Sequence, residues 1–246
     1  MLYSIIIPCY NEEARIEHAI YSVCYYMNHI YGISDYEVII VDDGSNDRTA
    51  ELAQGIASVD DHVIVIKHKE NKGKGGAVKT GIENSDGHIL FYMDCDMSTN
   101  LDAIRSCVGY LQMNHFEHFF LMGSRKLSDS RIYGKRSLIR DLMSKVCISY
   151  VNSTFCMNYT DTQCGFKCFD RETGFFIAAH QTIYGFAFDL EYLLKANSFM
   201  ADIKEIPVKW HDSGMSSVHP VKSSIDYIKS VKKLSSIVKF KRIARR

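Results

Sequence analysis

Three prolines and a single tryptophan in 246 residues leave few fixed kinks, and nothing here reads as a proline-rich linker. Net charge is also missing, with 29 basic and 29 acidic side chains, which excludes a polyanion binder acting through bulk charge. No apolar run approaches the roughly 20 residues that cross a bilayer. The opening MLYSIIIPCY turns polar too soon for a signal peptide. Eight cysteines are present, yet none forms Cys-x-x-Cys, and Cys164 and Cys168 lack a second pair with zinc spacing. A reducing, cytoplasmic compartment fits that pattern better than a disulfide framework.

What is present is unevenly placed. Residues 222–246 hold nine Lys or Arg against Asp226 alone, so an acidic body of 1–221 carries a basic, amphipathic end. Tyr227, Val231, Leu234 and Val238 fall on one helical face of that end. It reads either as a helix packed on the domain or as a surface lying on anionic lipid. The aromatic and arginine interleaving of RNA binders is absent from it, so no nucleic-acid partner is expected.

The apolar content of 46% supports a substantial core. Short β-branched or aromatic runs at 3–7, 38–41, 63–66 and 89–93 alternate with helical patterns at 12–25, 47–57 and 74–83. That alternation predicts an α/β fold with a mostly parallel sheet flanked by helices. Further on, 119–122 and 203–208 read as strands, and 138–151 and 190–196 as helices. With no repeat or linker, one domain is expected. Ligands of such sheets bind at the carboxyl ends of the strands. The segments following the first four strands, PCYNEE, DDGSND, HKENKGKGG and DCDMST, are all polar or glycine-rich.

Asp94 and Asp96, one residue apart at the end of a buried run, suit a hard divalent cation, Mg²⁺ or Mn²⁺, that also takes phosphate oxygens. Taken alone, Asp-x-Asp also describes a solvated acidic loop. In VDDGSNDRT, Asp43-Gly44 reads as a turn and Ser45 or Asp47 as a helix cap, which leaves Asp42 spare for a ligand base or ribose. NKGKGGAVKTG has glycines for close backbone approach and lysines at a helix start, suited to an anion, although it is not a P-loop.

Together IIIPCYNEE, VIIVDDGSNDRT, NKGKGGAVKTG, YMDCDMST and MGSR resemble the ordered motifs of family 2 glycosyltransferases of the GT-A fold. DTQCGFKCFDR, at 161–171, is similar to the branch of dolichyl-phosphate β-glucosyltransferases and bacterial polyprenyl-phosphate glycosyltransferases. The resemblance implies an inverting, metal-dependent transfer of a hexose, glucose before others, from a nucleotide sugar such as UDP-glucose to a polyprenyl phosphate. It implies that Pro8, Tyr10, Asn11 and Glu12 border the nucleotide with Asp42 and Asp43. Lys74 would lie near the base or diphosphate, and Asp94 and Asp96 would hold ribose and metal. Arg125, with Arg136 or Arg140, is the expected cation for the departing diphosphate. On the acceptor side the resemblance points to Asp161, Thr162 and Gln163, with Asp189 as the rival carboxylate. His211 is a candidate third metal ligand or an ordinary hydrogen-bonding side chain. After WHDSG the chain reads MSSVHP where the branch has a serine followed by a basic residue, so Lys209 or Lys222 would have to substitute. Many relatives add transmembrane helices, and this chain would visit the cytoplasmic face of a membrane peripherally. Two other readings share the motifs: a transferase acting on a saccharide acceptor, and a non-catalytic nucleotide-sugar-binding module.

Overall fold

The computed structural model describes residues 2–134, 138–211 and 227–236, with the side chains of 138–140 excluded. A seven-stranded sheet forms the centre. Its strands are β1 (Tyr3–Cys9), β2 (Tyr36–Asp42), β3 (Val63–Lys67), β4 (Ile89–Met93), β5 (Phe119–Ser124), β7 (Phe166–Asp170) and β8 (Asp202–Pro207), in the order β3-β2-β1-β4-β7-β5-β8. A separate two-stranded ribbon pairs β6 (Arg131–Tyr133) with β9 (Lys209–His211). β1 to β4 run parallel, β7 runs against both β4 and β5, and β5 and β8 are parallel again. One strand of seven is therefore reversed, and the carboxyl ends of the other six share an edge.

Continuous apolar strands follow from coverage on both faces. In β1, Ile5 and Ile7 enter one core with α1 (Ile16–Tyr25), α2 (Thr49–Ala57) and α4 (Asp102–Met113), while Ile6 enters the other. That second core is built on α3 (Lys74–Glu83), α5 (Leu138–Phe155), α6 (Arg171–Ala179) and α7 (Phe188–Ser198). The helix over 227–236 joins it through Tyr227, Val231 and Leu234, all buried. The apolar face of that segment is thus packed on the domain, and Val238 and most of the basic end lie outside the described residues.

The expected strands and helices of the first half are present, α3 and β4 with the bounds read from sequence. α1 starts later than the expected residue 12, because Asn11 has φ 55° and the chain needs a further turn before helical geometry begins. It then runs on through a π-helical turn at Tyr26–Ile30. β6, β7, β9, α4 and α6 were not read from the sequence. β7 was hidden because a lysine, the second of its five residues, is buried along with its neighbours.

Candidate active site

The loop after β1 and the loop after β2 are tied together by their own polar groups. Asn11 N–H donates to Ser45 Oγ at 2.9 Å, Asn46 N–H to Asn11 Oδ1 at 2.9 Å, and Glu12 N–H to Thr49 Oγ1 at 2.7 Å. Asn11 and Ser45 therefore brace the strand-end loops. Asp47 accepts from Thr49 N–H at the start of α2 and from Glu13 N–H.

Of the adjacent acids, Asp43 is the saturated one. It accepts from Lys72 N–H at 2.9 Å and Gly73 N–H at 2.8 Å, and contacts His68 Nδ1 at 2.7 Å. His68 meets Thr80 of α3 through its other nitrogen, so Asp43 fixes the glycine loop to the helix it opens. Gly73 has φ 87°, and a Cβ there would lie 2.6 Å from the carbonyl oxygen of Tyr184. Only glycine fits that close passage. Asp42 is also buried, but its Oδ1 has no protein partner and its Oδ2 accepts a long bond from Ser45 N–H. A buried oxygen without a donor is a place for a ligand hydrogen bond.

Over these loops lies a cleft of about 440 Å³ lined by Pro8, Tyr10, Glu12, Asp43, Lys74, Asp94 and Asp96, with Arg15 and Phe186 at its walls. Lys74, the first residue of α3, places Nζ 2.5 Å from Asp94 Oδ1. Burial works against the lysine's charge, but Asp94, Asp189 and Asp96 outweigh it and hold its pKa above the ordinary value. Asp96 accepts from Ser98 N–H at 2.9 Å, a local turn that aims its carboxylate. Glu12 pairs with Arg15 at 2.6 Å; burial raises its pKa, Arg15 opposes, and Asp96 and Asp94 add to the rise. From the far side, Gly165 donates no side chain and presses on Asp94: a Cβ there would overlap the carboxylate, and its carbonyl accepts Asp94 N–H at 3.2 Å.

Beneath the cleft the charges are paired. Arg125 meets Asp161 through two prongs at 2.6 and 2.8 Å, and its backbone N–H donates to the same carboxylate. Burial opposes ionisation of Asp161, but Arg125 overcomes it and holds the acid below the usual range. Glu205 accepts from the N–H groups of Thr160 and Asp161, and the Arg125 guanidinium stands 5.5 Å from the Trp210 ring centre. Asp189, on α7, accepts from the Tyr92 hydroxyl and lies 3.3 Å from Lys167 Nζ. Burial pushes Asp189 up to about 7, with Lys74 pulling the other way, and pushes fully buried Lys167 down to about 8.

The structure thus gathers Pro8, Tyr10, Glu12, Asp43, Lys74, Asp94 and Asp96 at one cleft, with Asp42 set among the strand ends behind it. Arg125, Asp161 and Asp189 sit deeper. Thr162 is buried with its hydroxyl 3.5 Å from that of Tyr227, whereas Gln163 is exposed. His211 stacks on Tyr133 with ring centres 4.6 Å apart, and its backbone N–H donates to the Ser98 carbonyl. Lys209 pairs with Asp102 at 2.7 Å on α4. Arg136, Lys222 and the side chain of Arg140 lie outside the described residues. Arg15, His68, Tyr92, Gly165, Lys167 and Glu205 were missed in the sequence, although His68, Tyr92, Gly165 and Lys167 lie inside segments already noted there.

Among the described residues no three His, Cys, Asp or Glu side chains converge as a metal cage. Two carboxylates at an open cleft suit the alternative, a Mg²⁺- or Mn²⁺-type ion held by one or two acids and completed by substrate phosphates. Asp94 and Asp96 are the residues that would hold it.

Residues 4–178 match the family described as Glycosyl transferase family 2. The dolichyl-phosphate beta-glucosyltransferase of Dictyostelium discoideum is 33% identical over 237 residues, covering 93% of this chain and 72% of the relative. The Homo sapiens protein of the same name is 32% identical, covering 88% and 69%. The same fold is found in glucosyl-3-phosphoglycerate synthase from Mycobacterium tuberculosis, solved with Mn²⁺, UDP-glucose and phosphoglyceric acid. That likeness has a TM-score of 0.72 at 16% identity, over 96% of this chain and 80% of the other. With strand-end loops that converge on an acidic doublet, and relatives matched over most of its length, this chain belongs to the family 2 glycosyltransferases of the GT-A fold.

Proposed function

We propose that this enzyme transfers glucose, with inversion, from UDP-glucose to a polyprenyl or dolichyl phosphate, with Mg²⁺ or Mn²⁺ at Asp94 and Asp96. The names of its relatives support the acceptor and the sugar, and the Mn²⁺ and UDP-glucose of the solved neighbour support the donor side.

One observation carries the choice of acceptor: both candidate acceptor-side carboxylates are already committed. Asp161 is held by two prongs of Arg125, and Asp189 is buried under the cleft with Tyr92 and Lys167. A hydroxyl acceptor needs a base to take its proton, whereas a phosphate monoester is ionised at neutral pH. The acceptor phosphate oxygen attacks the anomeric carbon as the bond to the nucleoside diphosphate breaks, in one displacement. Asp42 offers its free oxygen to the base or ribose, the glycine loop brings backbone close to the donor, and Lys74 places positive charge near the diphosphate. When bound, the metal supplies further stabilisation of the leaving diphosphate.

Contact with a membrane would be peripheral. Among the described residues no helix is long and apolar enough to cross a bilayer. Leu142 and Val146, one turn apart on α5, are 63% and 52% exposed, which suits a shallow apolar contact. The test is incubation with labelled UDP-glucose and either polyprenyl phosphate or oligosaccharides. Label is expected in the lipid phase. Label found only in the saccharide would replace this acceptor, and binding without turnover on either would make the protein a binding module.

A further inference from the structure

Asp94 cannot serve a lysine and a divalent cation through the same oxygen. Its Oδ1 lies 2.5 Å from Lys74 Nζ, so a cation arriving at Asp94 meets an ammonium already in place. The other oxygen, Oδ2, faces Gly165, so a cation bound by Asp94 stands close to the ammonium and the two like charges repel. The backbone under Lys74 is pinned, since Gly73 N–H is held by Asp43 and Gly75 N–H by the Tyr184 carbonyl. The side chain alone is left to move. On the core side it meets the Phe188 ring at 5.9 Å, and Asp189 behind is already engaged by Tyr92 and by the second cation, Lys167. The open direction is the cleft, where a diphosphate brings the negative charge that could hold the ammonium.

Resting on the donor-and-metal reading of this cleft, we propose that Lys74 is a gate. It closes Asp94 to a divalent cation until the donor diphosphate draws the ammonium away, so that metal and donor bind cooperatively and the metal alone binds weakly. The coupling is thermodynamic and therefore reciprocal: each ligand strengthens the other by the same factor.

Binding of Mn²⁺ is read from the loss of the free-ion electron paramagnetic resonance signal, with UDP as the donor probe. In the wild type, UDP is expected to tighten Mn²⁺, and Mn²⁺ to tighten UDP, by about tenfold each. Lys74→Met should tighten Mn²⁺ measured alone by a similar factor, weaken UDP, and shrink the mutual effect. Lys74→Arg, which keeps the charge, should leave Mn²⁺ alone weakly bound. Lys72→Met removes an exposed charge from the same loop and controls for the general field. The gate is overturned if the wild type shows no coupling, if Lys74→Met leaves Mn²⁺ alone unchanged, or if Lys72→Met tightens it equally. Asp94→Asn that binds Mn²⁺ with UDP like the wild type would instead overturn the metal reading on which the gate rests.

Discussion

At the scale of single residues, charge and burial set what each acid can do. Asp94 and Asp96 were legible because they end a strand whose apolar run is unmistakable. The division of labour between Asp42 and Asp43 was legible only in part: both stand in one motif, and the bonds that saturate Asp43 come from a loop about 30 residues away. Asp161 likewise gave no hint of its partner, since Arg125 is 36 residues earlier and two polar side chains carry no periodic signal. Asp189 supports a prediction of sign. Its folded pKa of about 7 lies above the model-compound value of 3.8, so the folded state holds its proton more tightly than the unfolded chain does. Its contribution to stability is therefore complete below about pH 4, declines as pH rises through 7, and is flat above. Asp189→Asn removes this titration. The melting temperature of the variant relative to wild type should rise between pH 4 and pH 7, and a constant difference across that range would contradict the assignment.

At the scale of elements, the first half was readable because parallel strands buried on both faces announce themselves as continuous apolar runs. The reversed strand β7 was not, as Phe-Lys-Cys-Phe-Asp breaks that rule by burying Lys167 beside Asp189. β7 nevertheless governs the site, because the turn that enters it brings Gly165 against the carboxylate of Asp94. Gly165→Ala adds one carbon where the acid now stands. Displacement of a catalytic group by about 1 Å can cost on the order of 100-fold, and a loss of that size in kcat/KM is expected with the far-ultraviolet circular dichroism spectrum retained. Near-normal turnover would show that Asp94 has room to move.

At the scale of the whole molecule, the carboxyl-terminal segment serves stability before anything else. Tyr227, Val231 and Leu234 are buried in the second core, each worth about 1.5–3 kcal/mol. Ending the chain before Tyr227 removes all three, a large part of a typical 5–15 kcal/mol. The melting temperature should fall by at least about 10 °C. Ending it after Ser236 keeps all three and deletes five basic residues, so the melting temperature should stay within a few degrees while flotation with anionic vesicles declines. An unchanged melting temperature for the shorter chain would contradict the packing. The reversed strand has a last consequence, for assembly of the fold. β7 lies between β4 and β5, so residues 166–170 must slot into a gap whose two walls are some 50 to 80 positions earlier in the chain. Neither wall is completed until that insertion occurs, and loop closure over such separations is slow. Gly165 therefore comes to rest against Asp94 only once that five-residue wedge is in place.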